Sequence, residues 1–263
     1  MYQHLVVLNA EHHRQQRFTP PRDLSHARGL MSAEIVAAEV AQVLASFPLA
    51  FLYPQPEQPM LAALFSLEQD RNWFVLPDGR WAVTYIPALV RAWPFALHWP
   101  PNAESGVLCI DEAAFSDEPD AELLFDDQGG DAPALARART FANQYGKDLQ
   151  ATRRATRRLH EAGLITPWPL KLQRPDGQPS AIEGLWHLDE AALKQLPAAT
   201  LADLCTSGAL GLAYAQLLSH ARLENLQKTA AIHATADEKK QQLDEQMQGL
   251  FGGNDGGSLT FDF

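Results

Sequence analysis

Residues 72–95, NWFVLPDGRWAVTYIPALVRAWPF, constrain the fold more than any other part of the chain. Residues 73–76 and 81–85 are runs of aromatic and β-branched side chains, which favour pleated, half-buried strands. Between them, Pro77-Asp78-Gly79-Arg80 supplies a fixed φ, a side chain able to bond its own backbone and a residue tolerant of positive φ, so a hairpin is predicted. Ile86-Pro87 ends the pairing because proline has no N–H to donate. Alternation puts Trp81, Val83 and Tyr85 on one face and Arg80, Ala82 and Thr84 on the other. Trp73, Trp81 and Trp93 are three of the chain's six tryptophans, and that much ring area is ordinarily core. The functional alternative has Trp81, Tyr85 and Arg91 as binding residues, with Tyr85 and Arg91 lining a pocket.

Upstream, residues 4–8 read as a first strand. Residues 9–30 are polar and gather His12, His13 and His26 with Arg14, Arg17, Arg22 and Arg28, a cluster suited to a carboxylate or phosphate. His12 and Arg14 are its candidate binding residues; adjacent His12 and His13 make a poor metal face. Ser32 is placed to cap a helix carrying Val36, Val40, Val43, Leu44 and Phe47 at helical spacing up to Pro48. Residues 49–53 form an apolar strand. Pro54, Pro56 and Pro59 then make a stiff link to the apolar piece 60–67.

Downstream, residues 95–99 and 107–110 read as strands, with candidate binding residue Asp111 and then Glu112 where the second ends. The acid-rich stretch 116–131 lacks the ligand order and distal glutamate of a calcium loop, and reads as a solvated loop anchored by Leu123, Leu124 and Phe125. Residues 134–162 carry the longest helical pattern, with Phe141, Tyr145, Leu149, Thr152 and Leu159 on one face and Gly163 as a stop. On the neighbouring face Arg153, Arg154, Arg157 and Arg158 span an arc of about 140° at 100° per residue, the best candidate anion site.

A second Pro-Asp-Gly turn, at residues 175–177, joins 168–172 to 182–188 as another hairpin. Helices follow, with Asp189 and Thr200 as caps, Leu193, Leu196, Leu201 and Leu204 on inner faces and Gly208 as a break. Leu210, Tyr214, Leu217 and Leu218 continue the apolar pattern. Thr235 and Glu238 form a capping box for a last amphipathic stretch carrying Leu243, Met247 and Leu250. The final GGNDGGSLTFDF has a glycine-rich link and then alternates Leu259, Phe261 and Phe263 against Ser258, Thr260 and Asp262. A tether ending in a strand-former is suited to binding a polypeptide partner or the chain's own body.

The expected class is α+β: antiparallel strands and hairpins in the N-terminal two-thirds, a helical C-terminal part and a flexible C-terminal tail. The expected organisation is a body over 1–188, a helical region over 189–250 packed on it, and the tail over 251–263. With 263 residues and 46% hydrophobic content the chain can bury a sizeable core. A net charge of −11 disfavours general nucleic-acid binding. Cys109 and Cys205 are too few and too far apart for a disulfide framework or thiolate zinc site, and read as buried free thiols. No run is long enough to span a bilayer and no export signal is recognised, so a cytoplasmic location is expected.

Taken in order, LNAEHHRQQRF, FPLAFLYP, the central segment, VLCIDE, LLFDDQG, EAGLITPWPL and GLWHLDEAALKQLP resemble the SapC family over roughly residues 1–230. The family takes its name from bacterial surface-layer gene clusters. The resemblance therefore implies a bacterial protein linked to the cell envelope or to exported polypeptides, and implies no catalytic residues. Where the family has paired basic residues before Pro-Phe, this chain has Arg91-Ala92-Trp93, which leaves one arginine for an anion clamp.

The functional expectation is a non-enzymatic interaction or assembly protein for an exported or surface polypeptide, with no cofactor and oligomerisation left open. Two alternatives are modifying enzymes. One is a non-haem iron oxygenase using His187 and Asp189 with His220 or His233. The other is a metal-free enzyme bringing His12, Arg91 and Asp111 into one cleft.

Overall fold

The computed structural model describes residues 1–100, 106–173 and 179–251; the predicted turn at 175–177 and the tail residues Leu259, Phe261 and Phe263 lie outside them. The architecture is α+β. Its first part holds β1 (Leu5–Val7), α1 (Ala10–His13), β2 (Arg17–Phe18), β3 (Ser32–Glu34), α2 (Val40–Val43), β4 (Leu49–Gln55) and β5 (Gln58–Leu64). Next come α3 (Ala88–Arg91), β6 (Phe95–His98), β7 (Val107–Asp111), β8 (Glu122–Leu123) and the long α4 (Pro133–Glu161). The short strands β9 (Ile165–Pro167), β10 (Lys171–Gln173), β11 (Pro179–Ala181) and β12 (Trp186–Leu188) lead into α5 (Glu190–Lys194), α6 (Ala198–Thr206), α7 (Ala209–Ser219) and α8 (Leu223–Phe251).

Two antiparallel sheets carry the body, one ordered β3-β5-β4-β12-β9 and the other β1-β7-β6. Each has its own core. Leu49, Phe51, Leu61 and Leu64 fill the first beneath α7, and Phe95, Leu108, Ile110 and Leu124 fill the second. Helix α4 is common to both, contributing Ala134, Leu135 and Ala142 to the second core and Ala155 and Leu159 to the first. Its threonines also bind backbone: Thr152 Oγ1 accepts from Ala37 N at 2.8 Å, and Thr156 Oγ1 donates to Pro59 O at 3.0 Å. Buried Gln216 and Ser219 of α7 serve the start of β4, Gln216 Nε2 donating to Leu49 O and Ser219 Oγ accepting from Leu49 N. Unpaired strand-end groups are thereby satisfied by side chains of a helix.

The Pro77-Asp78-Gly79-Arg80 turn forms as expected, with Leu76 N donating to Arg80 O at 2.8 Å and Gly79 at φ +84°. A side chain at 79 would also meet Asp23 Cγ at 2.5 Å, so glycine is required twice over. The predicted strands around the turn do not form a ladder; only an isolated bridge joins Val75 to Trp81. Ring packing takes its place, Trp81 and Phe74 closing on Phe47 and Phe65 at centroid separations of 4.7–6.2 Å. The alternation survives: Trp81, Val83 and Tyr85 are half-buried and Arg80, Ala82 and Thr84 exposed.

Other boundaries shift for local reasons. Ser32 begins β3 rather than capping a helix, and the helical turn starts only after Val36, whose N–H is bound by the Glu39 side chain. The proline-rich link is instead the tight connection of the β4–β5 hairpin, with Glu57 at φ +59°. The acidic stretch is partly ordered, because β8 pairs with β2. Thr200 lies inside α6, which begins after Pro197, and Thr235 lies inside α8, its hydroxyl bonded to Ala231 O. Leu212, Ala213 and Ala215 form the inner face of α7, whereas Tyr214 and Leu218 are exposed. Leu243 and Met247 are exposed on α8. Cys109 is buried, but Cys205 is on the surface of α6. Among the described residues, no single helix is long and apolar enough to cross a membrane.

Candidate binding site

A groove of about 510 Å³ runs between the N-terminal half of α4, strand β6 and the segment from Leu89 to Pro94. Its size falls within the roughly 300–1,000 Å³ of sites that bury most of a small ligand or a few side chains of a longer one. Helix α4 makes room for it with a stripe of small residues at four-residue spacing, Ala134, Ala138, Ala142 and Gly146. At Gly146 the helix comes closest to the sheet: a Cβ there would lie 2.8 Å from Leu97 Cδ1 and 3.3 Å from the Trp99 ring. Beside the stripe, Phe141, Tyr145 and Leu149 line one wall, and Trp93, Phe95 and Leu97 the other.

The floor is apolar and its polar groups are mostly spoken for. Tyr2 donates to Phe95 O at 2.9 Å, on the outer strand of its sheet, and burial with the nearby Asp111 charge pushes its phenol pKa well up. Burial, then the charges of Glu34 and Glu39, does the same to Tyr145. Both rings therefore stay neutral.

Five charged residues line the groove: Glu34, Arg91, Glu122, Arg137 and Arg153. Arg153 forks onto Glu34 at 2.6 and 2.7 Å, and Arg137 reaches Glu122 at 3.5 Å. Three arginines against two glutamates leave Arg91, which forms no ion pair among the described residues. It is nonetheless held. Nε donates to Ile86 O at 2.9 Å, and the guanidinium lies 5.7 Å from the Tyr85 ring centroid and 5.5 Å from that of Phe141. Tyr85 is fixed in turn by Glu39, a buried carboxylate whose Oε2 accepts from Tyr85 Oη and Ala88 N at 2.8 Å, while Oε1 accepts from Val36 N at 3.0 Å.

The sequence-predicted residues divide accordingly. Arg91 lines the groove, and Tyr85 supports it from behind instead of lining it. Trp81 belongs to the aromatic core, its Nε1 donating to Tyr85 O. Asp111 is buried and structural. Burial opposes its ionisation, but hydrogen bonds from Gln3 N, His4 N, Ala113 N and Trp93 Nε1 prevail and hold its carboxyl below the usual range. His12 and Arg14 are exposed on and beside α1 and do not join Arg91 and Asp111 in one cleft.

The arginine face of α4 is dispersed: Arg153 is tied to Glu34, Arg158 to Asp203, and Arg154 is exposed. Arg157 faces a separate concavity beside Gln58, His160 and Glu161. His187 and His220 lie 6.1 Å apart around Trp168, but the Asp189 carboxylate caps α5 by accepting from Ala192 N, and His233 binds Trp73 O. Among the described residues no three histidine, cysteine, aspartate or glutamate side chains are gathered to hold a metal.

Sequence reasoning missed Glu39, Glu34, Trp99 and the small-residue stripe. The stripe was legible as Ala-x-x-x-Ala-x-x-x-Ala-x-x-x-Gly, a spacing that lets another element approach a helix closely. The model of the SapC family matches residues 8–226, most of the chain. The chain belongs to the SapC family. No curated protein and no solved structure matches this SapC chain.

Proposed function

We propose that this SapC-family protein is an interaction protein, acting in the cytoplasm, that grips an extended apolar stretch of a polypeptide in the groove between α4 and β6. The observation that carries the reading is the pairing of an apolar floor with one uncompensated, ring-held arginine. Such a site takes hold of a partner through large side chains and fixes its register through one polar contact. The client is an exported or surface polypeptide, in line with the family's association with surface-layer genes. The groove holds no nucleophile paired with a base, so gripping is the chemistry its side chains suit.

The test is an array of overlapping peptides from candidate surface proteins, read by fluorescence anisotropy against the intact chain and its Ala138→Trp variant, which fills the groove. Saturable binding of apolar peptides to the first and loss of it in the second, with unchanged melting temperature, is the expected result. Equal binding to both would overturn the assignment of the groove.

A further inference from the structure

We propose that the groove has a built-in occupant, the chain's own residues 258–263, SLTFDF, with the Asp262 carboxylate set on the Arg91 guanidinium. The proposal rests on the reading of the groove as a polypeptide site and names the first polypeptide it takes.

Three observations converge on it. The groove's charges cancel except for Arg91, which is exposed at the rim while the floor is apolar. Its complement is a segment that buries large side chains inward and presents one carboxylate at the rim. An extended chain sends alternate side chains to opposite faces. In SLTFDF this puts Leu259, Phe261 and Phe263 on one face and Asp262, flanked by the two rings, on the other. Of the segments outside the described residues, 101–105 (PNAES) and 174–178 (RPDGQ) have no large apolar side chain, and only 252–263 joins aromatic residues to an acid.

The third observation is geometric. Strand β6 is an outer strand of the β1-β7-β6 sheet, and its residues Phe95, Ala96 and Leu97 line the groove. An extended segment laid along β6 seats alternate side chains against this apolar lining, and it is held by side-chain contacts because Phe95 N and Phe95 O are already bonded to Ala92 O and Tyr2 Oη. Six residues, GGNDGG, separate the end of α8 at Phe251 from the segment.

The experiment uses the full-length chain and a labelled SLTFDF peptide with an amidated end, so that Asp262 is its only carboxylate. Against full-length protein carrying Phe261→Ser and Phe263→Ser, the peptide is expected to bind saturably, and at least about ten-fold more tightly than to the unchanged chain, whose own tail competes. Arg91→Gln in the protein, or Asp262→Asn in the peptide, should each weaken binding by about ten-fold, and Ala138→Trp should abolish it. Melting curves of each variant show that it is folded.

Equal affinity for the tail-substituted and unchanged chains would overturn the proposal, as would binding indifferent to Arg91→Gln. If surface-protein peptides bind the groove and SLTFDF does not, the tail is not the occupant while the function stands. If neither binds, both readings fall.

Discussion

Replacing Glu39 by alanine removes the acceptor for Val36 N, Ala88 N and Tyr85 Oη at once. Hydrogen bonds to a charged group contribute about 1.5–3 kcal/mol each, so the gross loss is large. Against it stands the cost of burying the carboxylate, and truncating one partner of a buried charged network typically destabilises by about 3–5 kcal/mol net. Glu39→Ala is therefore expected to cost about 3–5 kcal/mol in urea unfolding, with an unchanged denaturant slope. Tyr85→Phe, which removes one half-buried donor, should cost only about 1–2 kcal/mol. With Glu39 already gone, the tyrosine hydroxyl keeps only the long 3.5 Å contact from Arg91 Nη2, so the double variant should lie close to Glu39→Ala alone. Because Tyr85 supports Arg91, Glu39→Ala should also weaken binding of acidic peptides under conditions where the variant is still folded. A cost below about 1 kcal/mol, or strict additivity of the two changes, would refute the role given to Glu39.

Gly146→Val should separate α4 from β6, because even its Cβ meets Leu97 and Trp99; a loss of about 1–3 kcal/mol in thermal or urea unfolding is expected, while Gly163→Val, with open space around it, should show only backbone strain. Arg153→Ala leaves Glu34, which is largely buried, without its fork and should lower stability measurably, whereas Arg154→Ala, on the exposed face, should change stability by less than about 0.5 kcal/mol. Burial lowers the pKa of His26, His187 and His220 below 6.5, and in His220 the neighbouring His187 charge adds to the effect. Above 6.5 both states are neutral at these sites. As pH falls below 6.5 the unfolded chain takes up protons that the folded one refuses, so stability should decline with acidification down to the folded pKa values. His220→Gln should flatten that decline in a pH series of urea midpoints, and an unaltered profile would exclude His220 as a contributor.

The α+β class, the long helix within one residue of its predicted start and end, and the strands at β1, β4, β6 and β7 were legible because periodicity and proline or glycine punctuation agree there. The central hairpin was misread for a physical reason. Its alternation is real, but Trp81 and Phe74 are satisfied by ring packing against Phe47 and Phe65, contacts that are distant in sequence. Helix starts assigned to Ser32, Thr200 and Thr235 failed because a hydroxyl that suits a cap suits a strand or helix interior equally well. At the candidate site, the position of Arg91 just after the aromatic segment puts it on the groove, while Glu39 is hidden inside an apolar stripe. The four arginines of α4 looked like one surface until tertiary contacts claimed Arg153 for Glu34 and Arg158 for Asp203. Charge clusters on a helix report a face, and only the fold reports what the face meets.

The most direct measurement is site-specific photocrosslinking in the native cell, with a benzophenone side chain placed at Ala138 in the groove and, as a control, at Leu218, which is 69% exposed on α7. Crosslinks from position 138 to a polypeptide, mapped by mass spectrometry to an extended apolar segment with an acidic residue and absent from position 218, are the expected result. Identical products from both positions, or none from position 138, would contradict the groove as the place where this protein grips its partner.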